Sequence, residues 1–308
     1  MPSISEFTTV HIDSSWVTIG SFDGVHLGHR SLITNLVSGA HAAGSQAVVI
    51  TFFPHPVVVL RGFQGPYYLT TPEARAELLL QLGVDQVITL PFDRRMASMS
   101  AEEFMRGLRE QLGVKQLWIG QDFALGRNRE GDIARLEELG NELKYGVKVI
   151  KPVTMGEGVV SSSLIRSLVQ QGNVRRAVEL LGHAYAIGGE VVHGEGRGHG
   201  LGFATANLSI WQEQLLPASG VYATWARLGE ERFPSITNVG LRPTFEKFAA
   251  PRIETHILDF SKDIYGQQLV VEFVEHLRPE QRFTSVDALI SQVFSDINRA
   301  REVLAHDA

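Results

Sequence analysis

The 308-residue chain contains no cysteine, which excludes disulfide frameworks and thiolate metal sites. Positive charge is not in excess: 28 Lys and Arg against 34 Asp and Glu leave a formal net charge of −6. That balance lacks the electrostatic footprint of a general nucleic-acid binder and points to small-molecule partners. No run of 18 or more apolar residues occurs, so a helical membrane span is not expected. The opening Met1-Pro-Ser-Ile-Ser-Glu6 lacks the basic and apolar segments of an export signal. The expectation is a cytoplasmic protein with no nucleic-acid or membrane partner, a monomer or weak homo-oligomer. Low-complexity linkers and tandem repeats are also missing, and the length suffices for two domains with separate cores.

What the chain does have is a glycine-rich turn carrying two histidines three apart, Gly20-Ser-Phe-Asp-Gly-Val-His-Leu-Gly-His29. Trp16–Ile19 before it reads as a short buried strand. Arg30–Ala43 after it has Leu32, Ile33, Leu36, Val37 and Ala40 at helical spacing. His26 and His29 are therefore expected at a helix N-terminus, where unpaired N–H groups and the helix dipole favour an anion and imidazoles add donors for phosphate oxygens. The turn is neither a Walker loop nor the dinucleotide fingerprint.

Three segments of the first half repeat one order: amphipathic helix, closing glycine, β-branched run. They are Ala74–Gly83 before Val87–Leu90, Ser100–Gly113 before Leu117–Ile119, and Asp132–Gly146 before Val147–Ile150. Each glycine is expected in the left-handed position past its helix, and Ser100 with Glu103 reads as a capping box. With strands at Val17 and Ala47–Phe52 this predicts about five parallel strands covered on both faces by helices. Ligands of such sheets bind at the carboxyl ends of the strands. Ser162–Gly172 and Val174–Gly182 read as two short helices. From about Ala184 the order changes to Ala186–His193, Val221–Leu228, Ile253–Leu258 and Leu269–Val274, strands without intervening helices, which predict an antiparallel barrel. It closes with a helix from about Ser285, capped by Thr284. The fold class is α/β plus β, with domains expected at 1–183 and 184–308.

Candidate ligand groups of the first domain are Asp23, His26 and His29; Thr51 with Pro54 and His55; Gly120–Arg129; and Ser161–Arg166. Serines before a helix and an arginine suit a triphosphate, and equally suit a plain helix cap. His41, His183 and His276 are read as surface or satisfied histidines, and Trp16, Trp118 and Trp225 as core.

Taken in order, Gly-x-Phe-Asp-Gly-Val-His-Leu-Gly-His, Thr51-Phe-x-Pro-His-Pro56, the Gly120–Asp132 motif and Ser161-Ser-x-x-Ile-Arg166 resemble the FMN adenylyltransferase module of prokaryotic bifunctional riboflavin kinase/FMN adenylyltransferases (FAD synthetases). The second half is similar to their riboflavin kinase module through Gly194–Leu208, Leu216–Tyr222, Asn238–Phe245, Ile253–Phe260 and Ile264–Gly266. The resemblance covers nearly the whole chain. It implies a Rossmann-like nucleotidyltransferase sheet followed by a β-barrel kinase domain ending in a helix. The activities implied are phosphorylation of riboflavin by ATP to FMN and adenylylation of FMN by a second ATP to FAD and pyrophosphate. His26 and His29 would stabilise the adenylyl transfer and Glu254 would be the kinase base. Gly20, Phe22, Asp23, Gly24, Thr51, Pro54, His55, Asp122, Phe123, Arg129, Ser162, Ser163 and Arg166 would bind nucleotide or flavin in the first module. Gly194, Gly196, Gly198, Gly202 and Arg242 would do so in the second. Thr205 and Asn207 would hold Mg²⁺, with FMN and FAD as product ligands.

On residues alone, without the flanking motifs, Glu254 reads rather as a solvated strand glutamate. Two positions depart from the family pattern: Ala204 replaces a usual proline, and Ser163-Leu164 replaces a common Thr-Arg. A chain with one activity retained, or a non-catalytic flavin carrier, are the alternatives. Another nucleotidyltransferase would leave the second domain unexplained.

Overall fold

The computed structural model describes residues 9–156, 158–194, 203–241 and 251–307. Contacts group the chain into two units, Met1–Gln64 with Thr71–Ser161, and Gly65–Thr70 with Ser162–Ala308. The two short helices expected in the first domain thus count by packing with the barrel.

In the first unit β1 (Ser15–Ile19), β2 (Gln46–Phe53), β3 (Gln86–Pro91), β4 (Val114–Gly120) and β5 (Gly146–Ile150) form a parallel sheet ordered β3-β2-β1-β4-β5. Strand alternation divides the core between its faces. Val48 and Ile50 join the cluster built on Phe104, Met105, Leu108 and Leu136, from α5 (Ala101–Leu112) and α6 (Ile133–Leu143). Val49 faces the other way, toward Leu32, Ile33 and Leu79, from α1 (Leu27–Ala42) and α3 (Pro72–Leu80). Two short helices, α2 (Pro56–Arg61) and α4 (Arg94–Ser98), and a two-residue ladder of β6 (Thr154–Met155) with β7 (Gly158–Val159) complete the unit. Trp16 and Trp118 pair at 5.7 Å against Leu36, Ala40 and Ala47, partly buried beside the core.

Several caps follow the sequence and others shift; α3 ends at Leu80 with Gln81 right-handed at its cap, and Gly83, φ 89°, comes two residues further on. Ser100 and Glu103 form the expected box, and those hydrogen bonds hold the Glu103 carboxyl below its ordinary range. Gly113 takes the left-handed position after α5. After α6, however, Lys144 does so at φ 63°, and Gly146 already lies in β5. Gly146 is needed there for close approach: a Cβ would overlap the Gln116 side-chain amide on the neighbouring strand. Helix α1 begins at Leu27, three residues before the expected start at Arg30, because the His26 side chain caps it.

In the second unit α7 (Ser162–Gln170) and α8 (Val174–Leu181) precede a closed antiparallel barrel, β10-β11-β12-β9-β8-β13. Its strands are β8 (Tyr185–Val192), β9 (Ala206–Ile210), β10 (Gly220–Leu228), β11 (Glu231–Leu241), β12 (Pro251–Ile257) and β13 (Gln268–Arg278). Tyr185, Ile187, Leu208, Val271 and Phe273 are among the buried residues. So are Thr224, Ser235, Thr237 and Thr255, whose hydroxyls hydrogen-bond one another at 2.8–3.0 Å across β10, β11 and β12. β11 was not expected as a strand because its buried positions Ser235 and Thr237 are hydroxyls and Pro234 interrupts the run. Outside the barrel, α9 (Val286–Ala305) lays Val293, Ile297, Ala300 and Leu304 on Val221, Ala223 and Ile236. Its cap is Ser285, not Thr284: the Ser285 hydroxyl accepts from the Ala288 N–H at 3.1 Å. Arg278 grips Asp296 through both Nε and Nη2, fastening β13 to α9.

Candidate active sites

β1 is the strand at which the sheet order reverses, with β2 on one side and β4 on the other, and the loops after all three leave the carboxyl edge. In the turn after β1, Phe22, Gly24 and Val25 have φ of 47°, 79° and 37°. Glycine adopts this region freely, whereas a β-branched valine does so only when its surroundings over-determine it. Complete burial of Val25 in the cluster of Phe22, Leu32 and Val49 supplies that constraint. Asp23 is buried in the same turn.

The turn delivers His26 as the cap of α1, its Nδ1 accepting from the His29 N–H at 3.4 Å. A ring nitrogen that accepts carries no proton, so the neutral imidazole holds its proton on Nε2 as a donor. The His26 and His29 rings stack at 3.6 Å and 17°, with the Phe22 ring edge-on to His29 at 5.1 Å. After β2 the arrangement recurs: His55 caps α2, its Nδ1 accepting from the Val57 N–H at 3.0 Å. The Phe53–Pro54 peptide bond is cis. Thr51 Oγ1 donates to the Ser21 carbonyl at 3.1 Å, joining the two loops.

Beneath them lies Arg75 of α3, fully buried. Its Nη1 donates to the Ser21 carbonyl at 2.9 Å and its Nη2 to the Phe52 carbonyl at 3.3 Å. This residue was missed in the sequence, although its signal was there: Arg75 stands four residues before buried Leu79, on the apolar face of its helix. After β4, Phe123 borders an open cleft of about 470 Å³ with Asp122 and Arg129, and Arg129 Nη2 donates to the Asp122 carbonyl at 2.9 Å.

In the second unit, Ser162 and Ser163 open α7. Arg166 Nε donates to the Tyr67 carbonyl at 2.9 Å, and its guanidinium lies 4.0 Å from the Tyr67 ring centre. A cavity of about 800 Å³ opens on the outer face of the barrel, bordered by α9. Strand alternation turns Arg252, Glu254 and His256 to it. Glu254 is opposed in register by Asn238 on β11 and Asn207 on β9, and all three line the cavity with Thr205. Gly194 passes so near Asn207 that a Cβ would overlap its amide. The Ala204 carbonyl accepts from His256 Nδ1 at 2.8 Å. Arg252 pairs with Glu254 and reaches Asn207 Oδ1 at 3.5 Å. Gly196, Gly198, Gly202 and Arg242 lie outside the described residues.

Residues 9–164 match the family model described as FAD synthetase, and residues 181–304 match that of riboflavin kinase. The bifunctional riboflavin kinase/FMN adenylyltransferase of Escherichia coli K12 is 39% identical over 290 residues, spanning 93% of this chain and 91% of its own. This chain belongs to the bifunctional riboflavin kinase/FMN adenylyltransferase family. The member from Bacillus subtilis is 33% identical over 93% of this chain and 91% of its own. A crystal structure described as a macrolide-efflux protein from Streptococcus pneumoniae superimposes at a TM-score of 0.87 and 30% identity, covering 98% of this chain and 97% of that one. Among the described residues no helix is long and apolar enough to cross a membrane.

Within this bifunctional family's two-module frame, sequence reasoning also missed Asn238 as a neighbour of Glu254, and Arg252. Arg252 was accessible through period-two alternation, since it stands two residues before Glu254 on β12, whereas Asn238 belongs to β11, a strand the sequence did not show. Of the histidines set aside, His41 pairs with Asp85 at 2.9 Å and His183 Nδ1 donates to the Ala184 carbonyl at 2.9 Å. His276 departs from expectation: its Nε2 is buried without a well-aligned hydrogen bond, and burial pushes the imidazole below its ordinary pKa against a smaller opposing contact with the Arg278 backbone.

Proposed function

We propose that this chain phosphorylates riboflavin with ATP to give FMN and adenylylates FMN with a second ATP to give FAD and pyrophosphate. The observation that carries this is the joint presence of the stacked His26/His29 pair at a sheet switch point and of Glu254 between two asparagines in the barrel cavity. A flavin carrier needs neither. The adenylyltransferase module is assigned to residues 1–183 and the kinase module to 184–308, acting in the cytoplasm on riboflavin, FMN and ATP.

In adenylyl transfer an FMN phosphate oxygen attacks the α-phosphorus of ATP and pyrophosphate leaves, so positioning and charge stabilisation carry the rate. His26 and His29 donate to the phosphate oxygens that gain charge. The Nε2–H form of His26 set by its cap supports that role. Gly20, Phe22, Asp23, Gly24, Thr51, Pro54 and His55 form the pocket, and Asp122, Phe123 and Arg129 contact nucleotide or flavin.

In the kinase reaction Glu254 accepts the proton of the riboflavin primary hydroxyl as that oxygen attacks the γ-phosphorus. Gly194 and the glycines beyond it approach the phosphates. Thr205 and Asn207 fit Mg²⁺: both offer neutral oxygens to one cavity, leaving the ion's charge to the phosphates. Among the described residues no cluster of three or more His, Asp or Glu competes for it. Bound there, the ion neutralises triphosphate charge. The His256–Ala204 hydrogen bond supports an ordered ligand segment despite the missing proline. The test is chromatographic separation of riboflavin, FMN and FAD after mixing the protein with ATP, Mg²⁺ and riboflavin, with a parallel reaction from FMN. FAD from both is expected; FMN without FAD, or FAD from FMN alone, reduces the assignment to one activity.

A further inference from the structure

Arg252 lines the cavity on the barrel's outer face without a part in the chemistry above. Its Nη2 pairs with Glu254 Oε1 and donates to Asn207 Oδ1 at 3.5 Å. One nitrogen therefore spans the carboxylate that takes the proton and the amide oxygen that faces the nucleotide. In-line transfer puts the γ-phosphorus between those same two groups. The attacking oxygen must lie within hydrogen-bond reach of Glu254, and the phosphate oxygens near Thr205 and Asn207. A planar cation with five donors in a fixed fork suits the oxygens of a transferring phosphoryl group better than any other side chain. The guanidinium is also free to exchange partners, since 30% of the Arg252 side chain and 22% of the Glu254 side chain remain exposed.

We propose that Arg252 is a further catalytic residue of the kinase reaction: it exchanges its pairing with Glu254 and Asn207 for the γ-phosphate of ATP and stabilises the charge on that group during transfer. The proposal rests on the kinase reading of the cavity. A lone pair of the riboflavin hydroxyl oxygen forms the bond to the γ-phosphorus. The bond from that phosphorus to the β,γ-bridging oxygen breaks with its electron pair going to ADP, and the hydroxyl proton passes to Glu254. Arg252 takes no proton and forms no covalent bond. Its departure uncovers the carboxylate oxygen that the proton needs, so the γ-phosphate itself releases the base. ADP, lacking that group, leaves the pair in place.

Initial rates of FMN formation by the full chain give KM and kcat for ATP, and inhibition constants for ADP and for the β,γ-imido analogue of ATP. For Arg252→Gln, kcat/KM for ATP is expected to fall at least about ten-fold, with the imido analogue weakened by a similar factor and ADP nearly unchanged. Arg252→Lys, which keeps the charge and loses the fork, is expected to fall between, with a melting curve matching wild type. Unchanged or raised kcat/KM in both variants overturns the proposal, as does equal weakening of ADP and the imido analogue. Glu254→Gln, assayed beside them, separates the two levels. If it makes FMN at the wild-type rate, the kinase reading falls and this proposal with it. If FMN is lost there while Arg252→Gln keeps its preference for the γ-phosphate, the proposal alone falls.

Discussion

The two candidate centres hold their polar side chains in opposite ways. In the first unit His26 and His55 are tied to backbone amides at the starts of their own helices, and Arg75 is tied to backbone carbonyls. In the barrel Glu254, Arg252 and Asn207 are tied to one another. A side chain held by the backbone is oriented before any ligand arrives, whereas one held by another side chain changes partner when a stronger one enters. The contrast suits the proposed reactions. Adenylyl transfer to an already ionised phosphate needs prepositioned donors; phosphorylation of a neutral hydroxyl needs a base that can be engaged and released.

The sharpest break of this comparison is Glu254→Gln, expected to lower FMN formation by about 10²–10⁴ while FAD formation from supplied FMN continues. His29→Ala is its mirror, lowering FAD formation by about 10²–10³ with FMN still accumulating. Loss of both products in either variant would show that the centres are not separable. Arg75→Met probes the backbone-held side of the contrast. Losing charge-assisted bonds to the Ser21 and Phe52 carbonyls should cost about 1.5–3 kcal/mol of stability in the first unit. FAD formation should fall through kcat as well as KM, and Arg75→Lys should restore part of it. A change in stability with FAD kinetics untouched would make Arg75 a structural residue only.

The smallest effect expected is in the pH dependence of the second unit. Burial lowers the folded pKa of His276 from the 6.5 of a free imidazole, so the unfolded chain binds more protons in the interval below 6.5. Its contribution is constant above 6.5 and becomes destabilising as pH falls from there to the folded value. Melting curves at pH 7.5 and 5.0 should show a larger loss for wild type than for His276→Gln. Equal losses would remove His276 as the cause.

The first centre was legible in the sequence because its parts are contiguous: a turn, its histidines and the helix that follows. Arg75 escaped because an arginine in an amphipathic helix reads as surface until its neighbours are known. The parallel sheet was legible from helix–glycine–strand repetition, whereas β9 and β11 of the barrel were not. Strand β11 buries Ser235 and Thr237 between Phe233 and Val239, so hydroxyls interrupt the apolar alternation of its inward face. Glu254 was visible only through resemblance, since its partners Asn207 and Asn238 come from other strands. The shift from Gly146 to Lys144 after α6 has a similar origin: a cross-strand neighbour, Gln116, fixes where the glycine is needed.

The hydroxyl ladder of Thr224, Ser235, Thr237 and Thr255 acts as a register key. Sliding β11 by two residues keeps every side chain on its own face, so inward and outward alternation alone cannot reject that error. The slide that sets Phe233 opposite Thr224 instead leaves hydroxyls facing an aromatic ring, and each buried hydroxyl left unmatched costs about 1–3 kcal/mol. The same pairing of β11 with β12 sets Asn238 beside Glu254, so the alignment of the proposed kinase centre on the outside of the barrel is spelled by hydroxyls on its inside.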